Sequence, residues 1–217
     1  MLGVSLVYNS PMSHWKNFYF SIWSSIYQAI CSFLIRTFMY EASGKVSVKG
    51  GAPRGKDNYV LVSNHRNNGD PFLLGFYNHK AVAFMAKKEL FETFWFRLAM
   101  RLASTIMVDR EKPEPSTIKL AREALTKRGW DIGIFIEGTR SQNSEYLLPP
   151  NTGAVFLAKL AKKPILPVGI TYFDDGKVEL RYGEPYEIDY KGDLEDQSWE
   201  CLEKISKLCD YKMPERV

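Results

Sequence analysis

Within the stretch 59–72, two residues have the types that proton transfer needs: His65 and Asp70. An imidazole titrates near neutrality. A carboxylate beside it fixes one tautomer and stabilises the cation formed on taking a proton, which is the arrangement of a general base. On one regular helix these positions would point apart, because each residue turns the helix by about 100°. The chain between them must therefore fold back. Asn67, Asn68 and Gly69 tolerate turn conformations, Asp70 is a favoured helix N-cap, and Pro71 is a favoured first helical residue. Tyr59-Val60-Leu61-Val62 reads as a short apolar strand. The expected unit is strand, loop and helix, with His65 at the strand's carboxyl end and Asp70 at the helix opening. Taken alone, such a pair is more often a loop imidazole bonded to a helix cap, so the choice rests on what surrounds it.

Strand patterns at 45–48, 81–85, 105–108, 132–136, 165–171 and 178–182 interleave with helical patterns at 89–102, 116–127, 152–162 and 194–208. Alternation of this kind predicts an α/β fold with a mostly parallel central sheet flanked by helices. In such sheets ligands bind at the carboxyl ends of strands. Those ends carry His65 after the second strand, Lys87 and Lys88 after the third, and Asp109 and Arg110 after the fourth. Glu137-Gly138-Thr139-Arg140-Ser141 follows the fifth. Singly, Lys87 or Arg110 reads as a solvated surface charge, and Glu137 with Arg140 as a plain ion pair. Gathered on one edge around a base, the cations suit an anionic substrate, and the planar fork of arginine suits phosphate oxygens.

With 217 residues, 45% hydrophobic and 25% charged, the chain is globular by composition and long enough for one large domain or a domain with an appendage. Its charge is unevenly placed. Lys16, Arg36, Lys45, Lys49, Arg54 and Lys56 face only Glu41 in residues 1–56, a surplus of +5, and the remainder carries −1 of the total +4. From 15 to 37, Trp15, Phe18, Ile22, Ile26, Ile30 and Phe33 recur at helical spacing opposite Asn17, Ser21, Ser24, Ser25, Gln28 and Ser32. A row of polar groups down one side would sit unpaired in hydrocarbon, so an interfacial helix with Trp15, Tyr19, Trp23 and Tyr27 at headgroup depth suits the pattern best. Packing on the domain core and crossing the bilayer remain open. The expected division is a membrane-association segment at 1–42 and an α/β domain at 43–217. The anionic partner is expected to be a membrane surface rather than nucleic acid, for which no motif is present.

Gly50 to Asp57 nearly spells a phosphate-cradling loop. Asp57 stands where Ser or Thr should bind magnesium, Pro53 removes an amide donor, and a strand follows where a helix should. It reads as an ordinary loop. Cys31, Cys201 and Cys209 are too few and too scattered for a zinc site or a disulfide framework and read as reduced thiols. No cleavable signal is evident. His14 and His79 have no companion that would give them a chemical role.

Four ordered blocks resemble those of the glycerolipid acyltransferase family, best known for the 1-acyl-glycerol-3-phosphate acyltransferases. Asn64-His65 with Asp70 is similar to its N-H-x-x-x-x-D block, and Ile106-Met107-Val108-Asp109-Arg110 to the second. Phe135 to Ser141 is similar to E-G-T-R-S, and Ile165-Leu166-Pro167-Val168-Gly169 to the fourth. Ala86-Lys87-Lys88-Glu89-Leu90-Phe91 resembles the segment whose lysine helps hold phosphate. The resemblance covers roughly residues 45–185, and two features depart from it. Asn151 and Thr152 precede Gly153 where relatives often carry lysine, and the C-terminal part is short.

The resemblance implies acyl transfer from acyl-CoA or acyl carrier protein to the sn-2 hydroxyl of 1-acyl-glycerol-3-phosphate (lysophosphatidic acid), giving phosphatidic acid. His65 would be the base, Asp70 its orienting acid, and Lys87, Arg110, Glu137, Gly138, Thr139 and Arg140 the substrate-binding set. The thioester is a co-substrate, and neither cofactor nor metal is expected. The cytoplasmic face of a membrane, held peripherally or monotopically, is the implied location. A covalent acyl-enzyme lacks a Gly-x-Ser-x-Gly elbow, and Ser63 is the nearest hydroxyl that could serve as nucleophile. Another acceptor (glycerol 3-phosphate, a lysophospholipid with a headgroup, a glycolipid), thioester hydrolysis and non-catalytic membrane docking are the rival readings.

Overall fold

The structure, a computed structural model, describes residues 26, 29–30, 33, 45–53, 57–87, 106–108, 115–127, 129–142 and 145–216. Its strands are β1 (Val46–Lys49), β2 (Val60–Ser63), β3 (Val82–Lys87), β4 (Ile106–Val108), β5 (Asp131–Phe135), β6 (Ile165–Tyr172) and β7 (Val178–Tyr182). Its helices are α1 (Asp70–Tyr77), α2 (Pro115–Lys127), α3 (Gly153–Ala161) and α4 (Leu194–Ser206). Among the described residues the strands form one sheet in the order β1-β7-β6-β2-β5-β3-β4. β6, β2, β5, β3 and β4 run parallel, so their carboxyl ends share one edge. β7 returns antiparallel to β6, and β1 follows β7.

The apolar runs explain this layering. Val60, Leu61 and Val62 have no solvent exposure, as a strand covered on both faces requires. Val60 and Val62 pack with α2, α3 and α4, while Leu61 packs with Phe72, Leu73 and Leu74 of α1 on the other face. Burying one such side chain contributes roughly 1.5–3 kcal/mol. Continuing the alternation, Ser63 and His65 fall on the α1 side, which puts the imidazole over the helix that opens with Asp70. β6 is buried along nearly its whole length, and its last residue, Tyr172, reaches the same edge.

The helix predicted over 89–102 lies outside the described residues, as does most of the amphipathic segment at 15–37. Of the latter, Ile26, Ala29, Ile30 and Phe33 are helical. Ile30 packs on the α1-side core, whereas Ile26 and Phe33 are 44% and 67% exposed. Among the described residues no helix is long and apolar enough to cross a membrane.

Candidate active site

The loop between β2 and α1 does what the sequence demands of it, with one difference in detail. Gly69, not Asp70, occupies the helix N-cap, and Asp70 is the first helical residue beside Pro71. From there its side chain turns back over the loop instead of capping the helix. Asp70 Oδ2 accepts hydrogen bonds from the amides of Arg66 at 2.7 Å and Asn67 at 2.8 Å. Asn67 Oδ1 in turn accepts from Gly69 N at 2.9 Å, tightening the turn. The same Asp70 oxygen lies 2.8 Å from His65 Nδ1. An ionised carboxylate only accepts, so Nδ1 carries the proton and Nε2 keeps its lone pair. Nε2 has no hydrogen-bond partner among the described residues, and the His65 side chain is 16% exposed while that of Asp70 is wholly buried. The imidazole therefore presents a basic nitrogen outward from a rigid inner contact.

Two further contacts fix the ring. Phe135, the last residue of β5, stacks on it with centroids 3.9 Å apart and planes at 14°. Phe84 of β3 stacks in turn on Phe135 at 5.8 Å. Gly133 makes room for this column, since a Cβ there would lie 2.2 Å from the Phe84 ring. The backbone of His65 is held by Glu137, whose Oε1 accepts from His65 N at 2.8 Å and whose Oε2 accepts from Leu148 N at 2.8 Å. Ser141 N donates to the His65 carbonyl at 2.9 Å, which locks the two loops together. Burial pushes the Glu137 carboxyl up, opposed by these two amides and by the charges of Arg66 and His65.

These contacts correct the sequence expectation for Glu137. The sequence places it in an ion pair with Arg140 or in the substrate-binding set; buried at 3% exposure, it ties the His65 loop to the segment around Leu148. Gly138 follows with φ of 68°, a left-handed conformation that reverses the chain after β5. Thr139 and Arg140 are exposed on the carboxyl edge, and Arg140 has no ion pair among the described residues. Lys87 closes β3 on that edge opposite Val108, with its side chain outside the described part. Arg110, Asp109 and Lys88 lie outside the described residues. Ser63 is fully buried and donates to the Asn64 carbonyl at 3.1 Å, which leaves it no access to a substrate.

Three residues have contacts at the site to which the sequence assigns no role. Asn64, fully buried, docks on β6: its Nδ2 donates to Ile170 O at 2.9 Å and its Oδ1 accepts from Ile170 N at 2.8 Å. Its amide continues the ladder past the end of β2 and aims the next residue, His65. Asn151 donates through Nδ2 to the Glu137 carbonyl at 3.0 Å. Tyr172 donates its hydroxyl to Asp70 Oδ1. The rule that led to the other strand ends leads to Tyr172 as well, because it ends β6.

A family model described as "Acyltransferase" matches residues 45–171. A 1-acyl-sn-glycerol-3-phosphate acyltransferase of Streptococcus pneumoniae is 32% identical over 162 residues, covering 71% of this chain and 58% of that protein. The enzyme of that name from Bacillus subtilis is 38% identical over 111 residues, covering 48% of this chain and 54% of the relative. The chain thus spans little more than half the length of these relatives. The crystal structure of the 1-acyl-sn-glycerophosphate (LPA) acyltransferase from Thermotoga maritima superposes with a TM-score of 0.60 at 20% identity, over 88% of this chain and 95% of that one, and so shares the fold. Because the family model spans the whole strand-loop-helix unit from β1 to β6, the chain belongs to the acyltransferase family.

Proposed function

We propose that the chain transfers a fatty acyl group from a thioester, acyl-CoA or acyl carrier protein, to the sn-2 hydroxyl of lysophosphatidic acid, giving phosphatidic acid. The observation that carries this reading is the imidazole clamped through Nδ1 by a buried carboxylate at the carboxyl edge of the sheet, with Nε2 unpartnered among the described residues. Nε2 takes the acceptor hydroxyl proton as the oxygen attacks the thioester carbonyl. The tetrahedral intermediate collapses, the thiolate leaves, and the imidazolium returns the proton to it. Asp70 stays ionised throughout and stabilises the transient cation. No acyl-enzyme is needed.

Arg140, exposed on the same edge, neutralises the acceptor phosphate, with Lys87, which ends β3, and Arg110, two positions after β4 in the sequence, contributing. Residues 43–217 carry the chemistry. Segment 1–42 brings it to the cytoplasmic face of the membrane, where acceptor and product reside. The basic surplus of the first 56 residues and the exposed Ile26 and Phe33 support that docking.

The test is a mass-resolved assay of purified protein with both donors against lysophosphatidic acid, glycerol 3-phosphate, a lysophospholipid bearing a headgroup, and no acceptor. Phosphatidic acid from the first acceptor, abolished by His65→Ala, is expected. Turnover of another acceptor alone, or release of free fatty acid without one, overturns the reading.

A further inference from the structure

We infer that Tyr172 is a positioning residue for the His65–Asp70 pair, fixing the rotation of the carboxylate and setting how strongly it pulls on the imidazole. The inference rests on His65 being the base. The geometry divides the work between the two carboxylate oxygens of Asp70. Oδ2 takes His65 Nδ1 and the amides of Arg66 and Asn67, whereas Oδ1 takes the Tyr172 hydroxyl. The Asp70 side chain is wholly buried, so without that donor Oδ1 would be left without its hydrogen bond in an apolar setting.

Tyr172 is itself held from two sides. Its ring packs on the α1-side core, and its backbone N donates to Tyr211 Oη at 3.2 Å. Tyr211 carries the Arg66 guanidinium over its ring at 3.6 Å, and Arg66 donates to Tyr146 O at 3.0 Å. The C-terminal segment pairs back on this region, with Leu147 N donating to Lys212 O at 2.9 Å. A closed frame therefore runs from the end of β6 through the C-terminal segment to the loop that bears His65, and it meets the acid through the Tyr172 hydroxyl at Oδ1 and the Arg66 amide at Oδ2.

Burial, and then the charge of Asp70, push the Tyr172 phenol far above its ordinary range, so the group stays protonated and only donates. The described ionisable groups around the pair are Arg66 on its own loop, Glu137 beyond β5, Tyr172 on β6 and Tyr211 in the C-terminal segment, with Cys209 next to Arg66 and Glu137. Burial holds the Cys209 thiol up at about 11 and raises the Tyr211 phenol, so neither changes charge near neutrality. Losing the Tyr172 donor concentrates negative charge on Oδ2. The carboxylate then holds an imidazolium more tightly, and His65 gives up its proton at higher pH.

The experiment compares the full chain with Tyr172→Phe, Asp70→Asn, the double variant and His65→Ala, using acyl-CoA and lysophosphatidic acid across pH. NMR titration follows His65, one of only three histidines in the chain. Tyr172→Phe is expected to lower kcat about tenfold with KM within about twofold. The acid limb of kcat/KM and the His65 midpoint should both rise by about half a pH unit, and in the Asp70→Asn background the substitution should change kcat by less than about twofold. An equal loss in both backgrounds, or an unmoved His65 midpoint while His65→Ala is inactive, overturns the inference and leaves the base intact. Full activity in His65→Ala removes the base instead, and the NMR midpoint still decides whether Tyr172 acts on the pair. Should Tyr172→Phe fail to fold, 3-fluorotyrosine at position 172, a stronger donor, must move the midpoint downward; an unmoved midpoint overturns the inference.

Discussion

The sheet carries a buried aspartate at each of its two ends, and the two have opposite fates. Asp131 opens β5 at the amino edge, 1% exposed, and accepts from Tyr59 N at 2.9 Å, Asn78 Nδ2 at 2.9 Å and Asn58 Nδ2 at 3.4 Å. Asp70, at the carboxyl edge, is equally buried and equally well supplied with donors. The difference lies in one partner. Every hydrogen-bond donor to Asp131 is an amide, so that carboxylate staples β2, β5 and the end of α1 together. Asp70 shares its hydrogen-bond-accepting Oδ2 with an imidazole whose side chain is 16% exposed. A satisfied buried acid is thus no mark of a functional site by itself; what sets Asp70 apart is its imidazole partner.

His65→Ala breaks the comparison most sharply. It should reduce kcat by about a thousandfold, within the range that a positioned base supplies, while the thermal midpoint stays close to that of the parent. Asp131→Ala should do the reverse. It leaves the Tyr59 amide and Asn58 Nδ2 without this acceptor and takes one of two acceptors from Asn78 Nδ2, which keeps the Lys80 carbonyl, at a cost of about 3 kcal/mol, or roughly 6 to 12 °C in Tm for a chain of this size. The folded fraction should turn over normally. Calorimetry with activity per folded molecule tests both, and unfolding by His65→Ala or inactivation without unfolding by Asp131→Ala would dissolve the distinction.

Burial adds a pH signature to Asp131. Desolvation raises its carboxyl above the ordinary 3.8, against the Tyr59 amide, the Asn78 amide, the Lys80 charge and the Asn58 amide. A raised acid binds its proton more tightly when folded, so its contribution is greatest below the ordinary value and declines as pH rises toward the raised one. The unfolding free energy of the parent minus that of Asp131→Asn should therefore shrink from about pH 4 upward, as urea titrations at successive pH values would show.

Much of this architecture was legible. The apolar runs of β2 and β6 announced strands buried on both faces, and Asn67, Asn68, Gly69 and Pro71 announced the turn that returns Asp70 to His65. The reversal into β7 had a local signal too, since Asp175-Gly176 in the connection from β6 is hairpin chemistry and Gly176 has φ of 78°. Glu137 was another matter. Its acceptors' partners are backbone amides, one of them 72 positions away, and backbone amides leave no trace in residue type. Its neighbour Arg140 invited an ion pair that a buried carboxylate facing inward does not make.

That contrast between buried Glu137 and exposed Arg140 yields the next pair of outcomes. Glu137→Gln presents an NH2 group to one of two amide donors, loosening the His65 backbone. It should lower kcat about thirtyfold with little change in KM, because small displacements of a base cost rate rather than binding. Arg140→Ala should instead raise KM for lysophosphatidic acid about tenfold with kcat nearly kept, a loss expected of a phosphate contact. A neutral acceptor should not register the change. Equal losses on charged and neutral acceptors would make Arg140 structural, and a KM effect from Glu137→Gln would return that residue to the substrate.

The smallest effect is expected of Ser63, which shares a strand face with His65 and yet is fully buried. Its hydroxyl is fully buried and bonded to the carbonyl of the next residue. Ser63→Ala removes one net hydrogen bond worth about 1 kcal/mol and adds no clash, so kcat should stay within about twofold of the parent. If transfer is direct, incubation with acyl-CoA alone should leave the protein mass unchanged in both forms. A mass increase of one acyl group, lost in Ser63→Ala, would require the hydroxyl to leave its present contact and would replace direct attack with a covalent intermediate. His65 would then activate a serine instead of a lipid hydroxyl, and that serine would have to reach the imidazole from a position where it is fully buried.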